Sequence, residues 1–378
     1  MQYQFIHSQN ELDNFIERIA KANVLAIDTE FMRRRTLYPE VALLQIYDGQ
    51  SLGLIDPTLE LEFEGLFELL ANEDVVKVIH SPSEDIEVFQ KFAGFVPSPM
   101  FDTQFALLLL GYGNCVGFAN MVKLLLDVEI DKSESRTNWL QRPLTQQQLD
   151  YAASDVFYLL PCFEILLPKI TDKNWFEIVA QESALVARKR AHRLPDEELY
   201  KEVKNAWQLK SRDLAVLQVM AAWRQNKAEA KNLALSHVLK EHNMIEIAKR
   251  RPTSITSLRN IPGVEPMEVN RYGKDILACV EQGKAIAEHE CPERLKRLVD
   301  FPEYKKALKN IKHALTDVAK KHDLPFEVLA SKKQMNQIIS WKWKKSDEQR
   351  RQQERPDLFQ PWRSDYIGDA LNDWKASD

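Results

Sequence analysis

Val24-Leu25-Ala26-Ile27-Asp28-Thr29-Glu30-Phe31 is the stretch on which the reading of this 378-residue chain turns. Four apolar residues run into an acid, and a second acid follows after one residue. The apolar segment Val24–Asp28 predicts a short strand. Side chains on a strand alternate between faces, so Asp28 and Glu30 point to the same side. Two carboxylates aimed into one small volume repel each other, and the ionised pair is stable only with cations beside it. Their hard oxygens suit Mg²⁺ or Mn²⁺. A strand end whose acids simply face water is the competing reading of these eight residues, and they do not decide between the two.

Two further motifs follow in order. Asp85 in Ser83-Glu84-Asp85-Ile86 stands at the start of a predicted helix, where an acid also complements the helix dipole. Tyr151 and Asp155 in Tyr151-Ala152-Ala153-Ser154-Asp155 lie four apart, on one face if the segment is helical. Thr145, followed three residues later by Gln148, predicts the N-cap of that helix. Each motif alone reads equally well as structure, a cap or a packed tyrosine beside a surface acid. Together, the carboxylates and the phenol are the set that two-metal phosphodiester hydrolysis requires. His80 and His192 have no neighbours in the sequence that would support a histidine-based mechanism.

Outward from these motifs, residues 1 to about 170 alternate between two patterns. Val41–Tyr47, Ser51–Ile55 and Val75–His80 read as further strands, the first two close enough for an antiparallel hairpin. Asn10–Ala20, Glu62–Leu70, Glu84–Phe92, Asp102–Leu110 and Phe118–Leu126 carry helical spacing, with Asp102 as an N-cap. The prediction is an α/β domain built on a mixed sheet with flanking helices. After Glu182 strand signals cease. Asn232–Leu239 leading to Met244–Ala248 is echoed about 91 residues later by Asp323–Leu329 leading to Met335–Ile339, a diverged two-copy helical repeat. Lys344–Arg351 is a charge-rich stretch expected to be solvated.

The bulk numbers bound the function. A hydrophobic fraction of 44% and a charged fraction of 28% are those of an ordinary globular protein. The net charge of −5 does not advertise a nucleic-acid binder, although local basic patches can hold phosphate in an acidic protein. Cys115, Cys162, Cys279 and Cys291 make no CxxC pair and no zinc spacing, and are expected to be reduced, mostly buried thiols. The N-terminus lacks the pattern of a signal peptide, and the longest apolar stretch, near Phe105–Leu110, is too short to span a bilayer. A cytoplasmic, soluble protein with no membrane association and no evident obligate protein partner is the expectation.

Asp28-x-Glu30, Asp85 and Tyr151-x3-Asp155 resemble the three exonuclease motifs of the DEDD superfamily in its tyrosine-bearing branch. Asp28-Thr29-Glu30-Phe31-Met32-Arg33, Tyr38-Pro39, Leu43-Leu44-Gln45, Ser83–Phe89 and Asp131–Thr137 are similar to the bacterial ribonuclease D family. The helical repeat resembles a pair of HRDC domains, a nucleic-acid-binding module. Pro82, where a small residue such as Gly is expected, departs from the pattern outside the acidic set.

The resemblance implies an α/β ribonuclease H-like exonuclease domain over 1–190, a linker helix over 191–209, and two all-α HRDC-type domains over 210–290 and 291–378. It implies a 3′→5′ exoribonuclease that releases nucleoside 5′-monophosphates, taking RNA with a single-stranded 3′ end, with tRNA precursors as substrate. Two divalent ions would be held by Asp28, Glu30, Asp85 and Asp155, and Tyr151 would orient the attacking water. Phe31, Met32 and Arg136 are the candidates for substrate contact, each with a structural alternative. Lys227, Lys231, Lys249, Arg250 and Arg251 are candidates for phosphate grip in the helical half. A DNA exonuclease on the same fold, and a non-catalytic nucleic-acid-binding protein, are the alternatives.

Overall fold

The structure, a computed structural model, describes residues 1–131 and 133–374. It divides into two units. One comprises Met1–Met32, Glu40–Ala191 and the residues from Phe301 onward; the other comprises Arg33–Pro39 and His192–Asp300. Lys132 of the loop motif and residues 375–378 lie outside the described residues.

The first unit begins β1 (Gln4–Ile6), α1 (Gln9–Ile19), β2 (Val24–Met32), β3 (Glu40–Tyr47), β4 (Leu52–Ile55), α2 (Glu64–Ala71) and β5 (Val76–Ile79). It continues with α3 (Ser83–Phe92), β6 (Met100–Asp102), α4 (Thr103–Leu109), α5 (Phe118–Leu126), α6 (Gln146–Asp172) and α7 (Phe176–Ala191). The strands form one sheet in the order β1-β4-β3-β2-β5-β6, with β3 antiparallel to β2 and β4 and the other pairs parallel. The expected mixed sheet and the β3–β4 hairpin are both present. The edge strands β1 and β6 went unanticipated because three residues are too few to show alternation.

β2 does not stop at Asp28. It runs on to Met32 because Thr29–Met32 pair with Glu40–Leu44 of β3, through a register shift between Glu30 and Phe31. Its odd-numbered residues Leu25 and Ile27 join Leu12 and Phe15 of α1 and Ile86 of α3 in one core. Alternation then sends Asp28 and Glu30 to the other face, which α6 crosses as it packs over β2, β3, β4 and β5.

In the second unit, residues 191–209 are not one helix. Pro195 and Asn205, the latter at φ +71°, interrupt the chain, leaving 3₁₀ turns at Asp196–Glu202 and Ala206–Gln208. Tyr200, Val203 and Leu209 are buried in the same core as the helices that follow, so this stretch belongs to the helical unit. Those helices are α8 (Ser211–Lys231), α9 (Leu235–Val238), α10 (Glu241–Arg250), α11 (Ile255–Arg259) and α12 (Pro266–Ala285). α12 lies so near α8 that a Cβ on Gly283 would sit 2.5 Å from Val216 Cα, which only glycine avoids.

The chain then returns to the first unit with α13 (Tyr304–Lys321), α14 (Phe326–Leu329), α15 (Lys332–Lys344), α16 (Asp347–Gln352) and α17 (Pro361–Ile367). The repeat read from sequence is real. α8 and α13 each end in a left-handed residue, Asn232 and Asp323, and the next amides, of Leu233 and Leu324, each donate 2.9 Å back to a helix carbonyl. A four-residue helix follows in both copies.

The second copy is anchored to α7. Arg363, 2% exposed, donates from both terminal nitrogens to Glu182 at 2.6 and 3.0 Å, and from Nε to the Leu329 carbonyl at 3.0 Å. Lys189 pairs with Asp357 beside it. Among the described residues no helix is long and apolar enough to cross a membrane. All four cysteines are free; Cys162 and Cys279 are buried, whereas Cys115 is exposed, against the expectation that most would be covered. Glu182→Ala strands the Arg363 guanidinium without its carboxylate and should cost about 3–5 kcal/mol. A lowered urea midpoint is the expected reading, and an unchanged midpoint contradicts the anchor.

Candidate active site

Asp28 and Glu30 project from the centre of the sheet beneath α6, and α6 supplies the other half of the site. Its start is fixed by the capping box read from sequence. Gln148 N donates 3.1 Å to Thr145 Oγ1, and Thr145 N donates 3.0 Å to Gln148 Oε1. Gln148 Nε2 also donates 3.1 Å to Thr137 Oγ1, tying the preceding loop to the helix. With the helix so set, Tyr151 and Asp155 share the face that meets β2. Carboxylate oxygens of Asp28, Glu30 and Asp155 lie within 4.8 Å of one another. Those three residues and Tyr151 line a cavity of about 330 Å³.

Asp85 reaches the site from the opposite side of the strand. Thr29, between the two acids, faces α3, and its hydroxyl donates 2.5 Å to Asp85 Oδ1. Asp85 is 7% exposed and is not among the residues that line the cavity. α3 is held in place at both ends of its first turn. Arg190 donates to Ser83 Oγ from Nε at 2.8 Å and to Glu87 Oε1 from Nη1 at 2.6 Å. Pro82 fits without distortion: it precedes α3 at φ −69°, close to the angle its ring imposes. The turn before it, with Ser81 at φ +60°, is fixed by Ser81 N donating 2.9 Å to Asp102, which also caps α4 by accepting from Gln104 N at 2.8 Å.

The electrostatics follow from burial and crowding. Desolvation, then the neighbouring carboxylates Asp85, Asp155 and Glu30, push Asp28 well above the usual carboxylate range. Glu30 moves the same way, through desolvation and then Asp155 and Asp85. Desolvation lifts Asp155 to about 8, with Asp85 adding to it. Asp85 rises to about 6 by desolvation, opposed by the Thr29 hydrogen bond. Among the described residues no lysine or arginine lines the cavity, so nothing in it balances these charges. The same desolvation, reinforced by Asp155, Glu30 and Asp28, raises the Tyr151 phenol far above its ordinary value. Tyr151 is therefore a hydrogen-bond donor at every physiological pH and not a base.

Other residues around the cavity were not singled out from sequence as site residues. Asp131 and Ser135 line it from the loop before α6, and Phe118, Ala119, Ile130 and Leu159 give it an apolar wall. The position of Phe118 at the first turn of its predicted helix was the available signal. Gln45, across the β2–β3 ladder from Asp28, is fully buried, and its amide has no hydrogen-bond partner among the described residues. Phe31 and Met32 are half-buried beyond the bulge and do not line the cavity; Arg136 is exposed and does not line it either.

His80 also lines the cavity, but as a structural residue. A carbonyl can only accept, so Nε2 must donate to Val116 O at 3.0 Å, leaving Nδ1 to accept from Thr103 Oγ1 at 2.9 Å. Burial pushes the imidazole down to about 4. Between about pH 6.5 and about 4 the unfolded chain takes up a proton there that the folded chain refuses. This group's contribution to stability is therefore lost as pH falls through that window, by about 1.4 kcal/mol per pH unit. The stability advantage of wild type over His80→Gln should shrink towards acid in parallel urea titrations; an advantage that is constant with pH contradicts the neutral assignment.

Comparison with known proteins agrees with this geometry. A family model described as 3'-5' exonuclease matches residues 3–171, one for the HRDC domain matches 213–280, and one for the ribonuclease D C-terminal HRDC domain matches 302–371. Ribonuclease D of Serratia proteamaculans (strain 568) is 39% identical over 373 residues, covering 99% of each chain. That of Escherichia coli (strain K12) is 38% identical over 372 residues, covering 98% of each. The crystal structure of E. coli RNase D, described as an exoribonuclease involved in structured RNA processing, superposes with a TM-score of 0.93 at 38% identity, over 99% of this chain and 98% of that one. The catalytic core of RRP6 from Trypanosoma brucei shares the fold, with a TM-score of 0.59 at 22% identity, over 75% of this chain and 79% of that one.

Proposed function

This chain belongs to the ribonuclease D family of 3′→5′ exoribonucleases, and we propose that it trims tRNA precursors at their 3′ ends in the cytoplasm, using two divalent ions, Mg²⁺ or Mn²⁺. The observation that carries the site assignment is the convergence of the Asp28, Glu30 and Asp155 oxygens within 4.8 Å, in a cavity with no cationic side chain among the described residues. An all-oxygen donor set, desolvated and self-repelling, suits hard divalent cations, so the residues present fit the ions the fold implies. Asp28, Glu30 and Asp155 would hold one ion; Asp28 and Asp85 would hold the second. Bound there, such ions supply charge neutralisation at the phosphoryl oxygens and a lowered pKa for water.

The protein's own groups do the positioning. Tyr151, locked in its donor form, gives a hydrogen bond that orients the attacking water for in-line displacement. Thr29 holds the Asp85 carboxylate by one oxygen, leaving the other for its charge-balancing role. The apolar wall of Phe118, Ala119, Ile130 and Leu159 faces the acids across a space suited to a single terminal nucleotide. Stacking on an aromatic face tolerates any base, as a trimming enzyme requires.

Asp28→Ala should lower Mg²⁺-dependent release of nucleoside 5′-monophosphates by roughly 10³-fold or more while RNA binding persists. Equal residual hydrolysis in that variant contradicts the assignment. Tyr151→Phe should lower kcat by about 10²-fold with KM little changed, as for loss of one positioned hydrogen bond. For the substrate, digestion of a 5′-labelled tRNA precursor with a short 3′ extension should give single-nucleotide shortening that ends near the acceptor stem. Preference for an unrelated single strand over the precursor would overturn the tRNA assignment.

A further inference from the structure

Outside the carboxylate site, the second unit holds a basic cleft of about 470 Å³ at the junction of residues 33–37 with α8, α9 and α10. Arg33, Arg34 and Arg224 line it against one carboxylate, Glu241. Its walls are fixed: Ala234 N donates 2.7 Å to Arg35 O, and Tyr38 N donates 3.2 Å to Asn232 Oδ1.

Arg224 is the telling residue. It is 6% exposed, yet it lies 3.8 Å from Glu241, beyond hydrogen-bond range, and its firmest contact is a 3.4 Å bond from Nη1 to Leu239 O. Its Nε has no partner among the described residues, nor has the hydroxyl of Thr36, which lines the same cleft. A buried guanidinium without full compensation is costly unless an anion completes it. Guanidinium and hydroxyl donors converging on one space match the tetrahedral oxygens of a phosphate. Leu37 and Leu235 offer an apolar ledge beside them.

The five cations expected to grip phosphate are otherwise engaged. Lys227 lies 3.1 Å from Asp275, Lys249 and Arg250 lie 3.2 and 3.3 Å from Glu246, and Arg251 lies 3.6 Å from Asp213. Lys231 sits 5.5 Å over the Tyr272 ring. Arg33 and Arg34, by contrast, follow the last residue of the acid-bearing strand β2 directly in sequence.

We propose that the cleft lined by Arg33, Arg34, Thr36 and Arg224 binds a backbone phosphate of the RNA substrate, an assignment that rests on the exoribonuclease reading above. The same donors would also accept free phosphate, so the test must separate the two sources.

Binding of a short 5′-fluorescein single-stranded RNA to the full-length chain is followed by anisotropy across a salt series, with a chelator present to prevent hydrolysis. Arg33→Ala/Arg34→Ala should weaken binding about tenfold and reduce the log–log salt slope by about 1.4, or ~0.7 per lost phosphate contact on a single strand. Thr36→Val and Arg224→Lys, which preserve charge, should weaken binding several-fold with the slope unchanged. Thermal melts of each variant separate loss of the site from loss of the fold, and Thr36→Val is small enough to test the cleft on its own. Wild-type affinity and slope in both the double variant and Thr36→Val overturn the proposal. So does competition by inorganic phosphate that is sensitive to these substitutions while RNA binding is not, which would assign the cleft to a free anion. Nucleotide release with Mg²⁺ is measured on the same wild-type preparation. Its absence would strike at the active-site assignment, whereas normal release with unaltered variant binding removes the cleft alone.

Discussion

Asp28, Glu30, Asp85 and Asp155 repel one another in a partly dry volume, and the architecture of the first unit is what keeps them there. Each carboxylate is carried by an element that cannot easily retreat. β2 is the inner strand of the sheet, paired on both sides. α6 is fixed at its start by a reciprocal cap and lies across four strands. α3 is tied to α7 through Arg190. The strain of crowding shows in how protons are held: with no cation in place, desolvation and mutual repulsion drive Asp28 and Glu30 well above the carboxylate range and Asp155 to about 8. Such a site is poised to exchange protons for metal ions.

The two faces of β2 divide the work. Asp28 and Glu30 open towards α6 and the cavity, whereas Thr29 turns to α3 and captures Asp85. The fourth acid thus feels the others electrostatically without lining the same cavity. Around this centre the polar groups are kept neutral. His80 is confined by Val116 and Thr103 to a form that carries no charge, and the Tyr151 phenol is held protonated. The negative field of the carboxylates is therefore left for cations to balance.

Much of this was legible in the sequence because the signals were local. A one-residue spacing on a strand fixes a shared face, a Thr-x-x-Gln start fixes α6, and Asp102 caps α4 as its position before an apolar run predicts. The helical repeat was visible because the left-handed turn and the short helix demand similar residues in each copy. What sequence did not show depends on long-range register or on return of the chain. Nothing local extends β2 beyond Asp28; pairing with β3 does. Nothing near Gln45 or Phe118 announces that each faces the acidic site. That residues 33–39 pack with helices two hundred residues away, so that Arg224 joins Arg33 and Arg34, is invisible without the fold. Phe31 and Met32 were attractive by adjacency, but alternation and the bulge carry them off the cavity.

The balance between carboxylate repulsion and metal charge is tested most directly by calorimetric titration of Mn²⁺ into the full-length chain, repeated in buffers of different ionisation enthalpy. The expected result is two ions per chain bound with net release of protons near neutral pH, as crowded carboxylic acids give up protons for metal. Binding without proton release, or no binding with all four carboxylates intact, would contradict it.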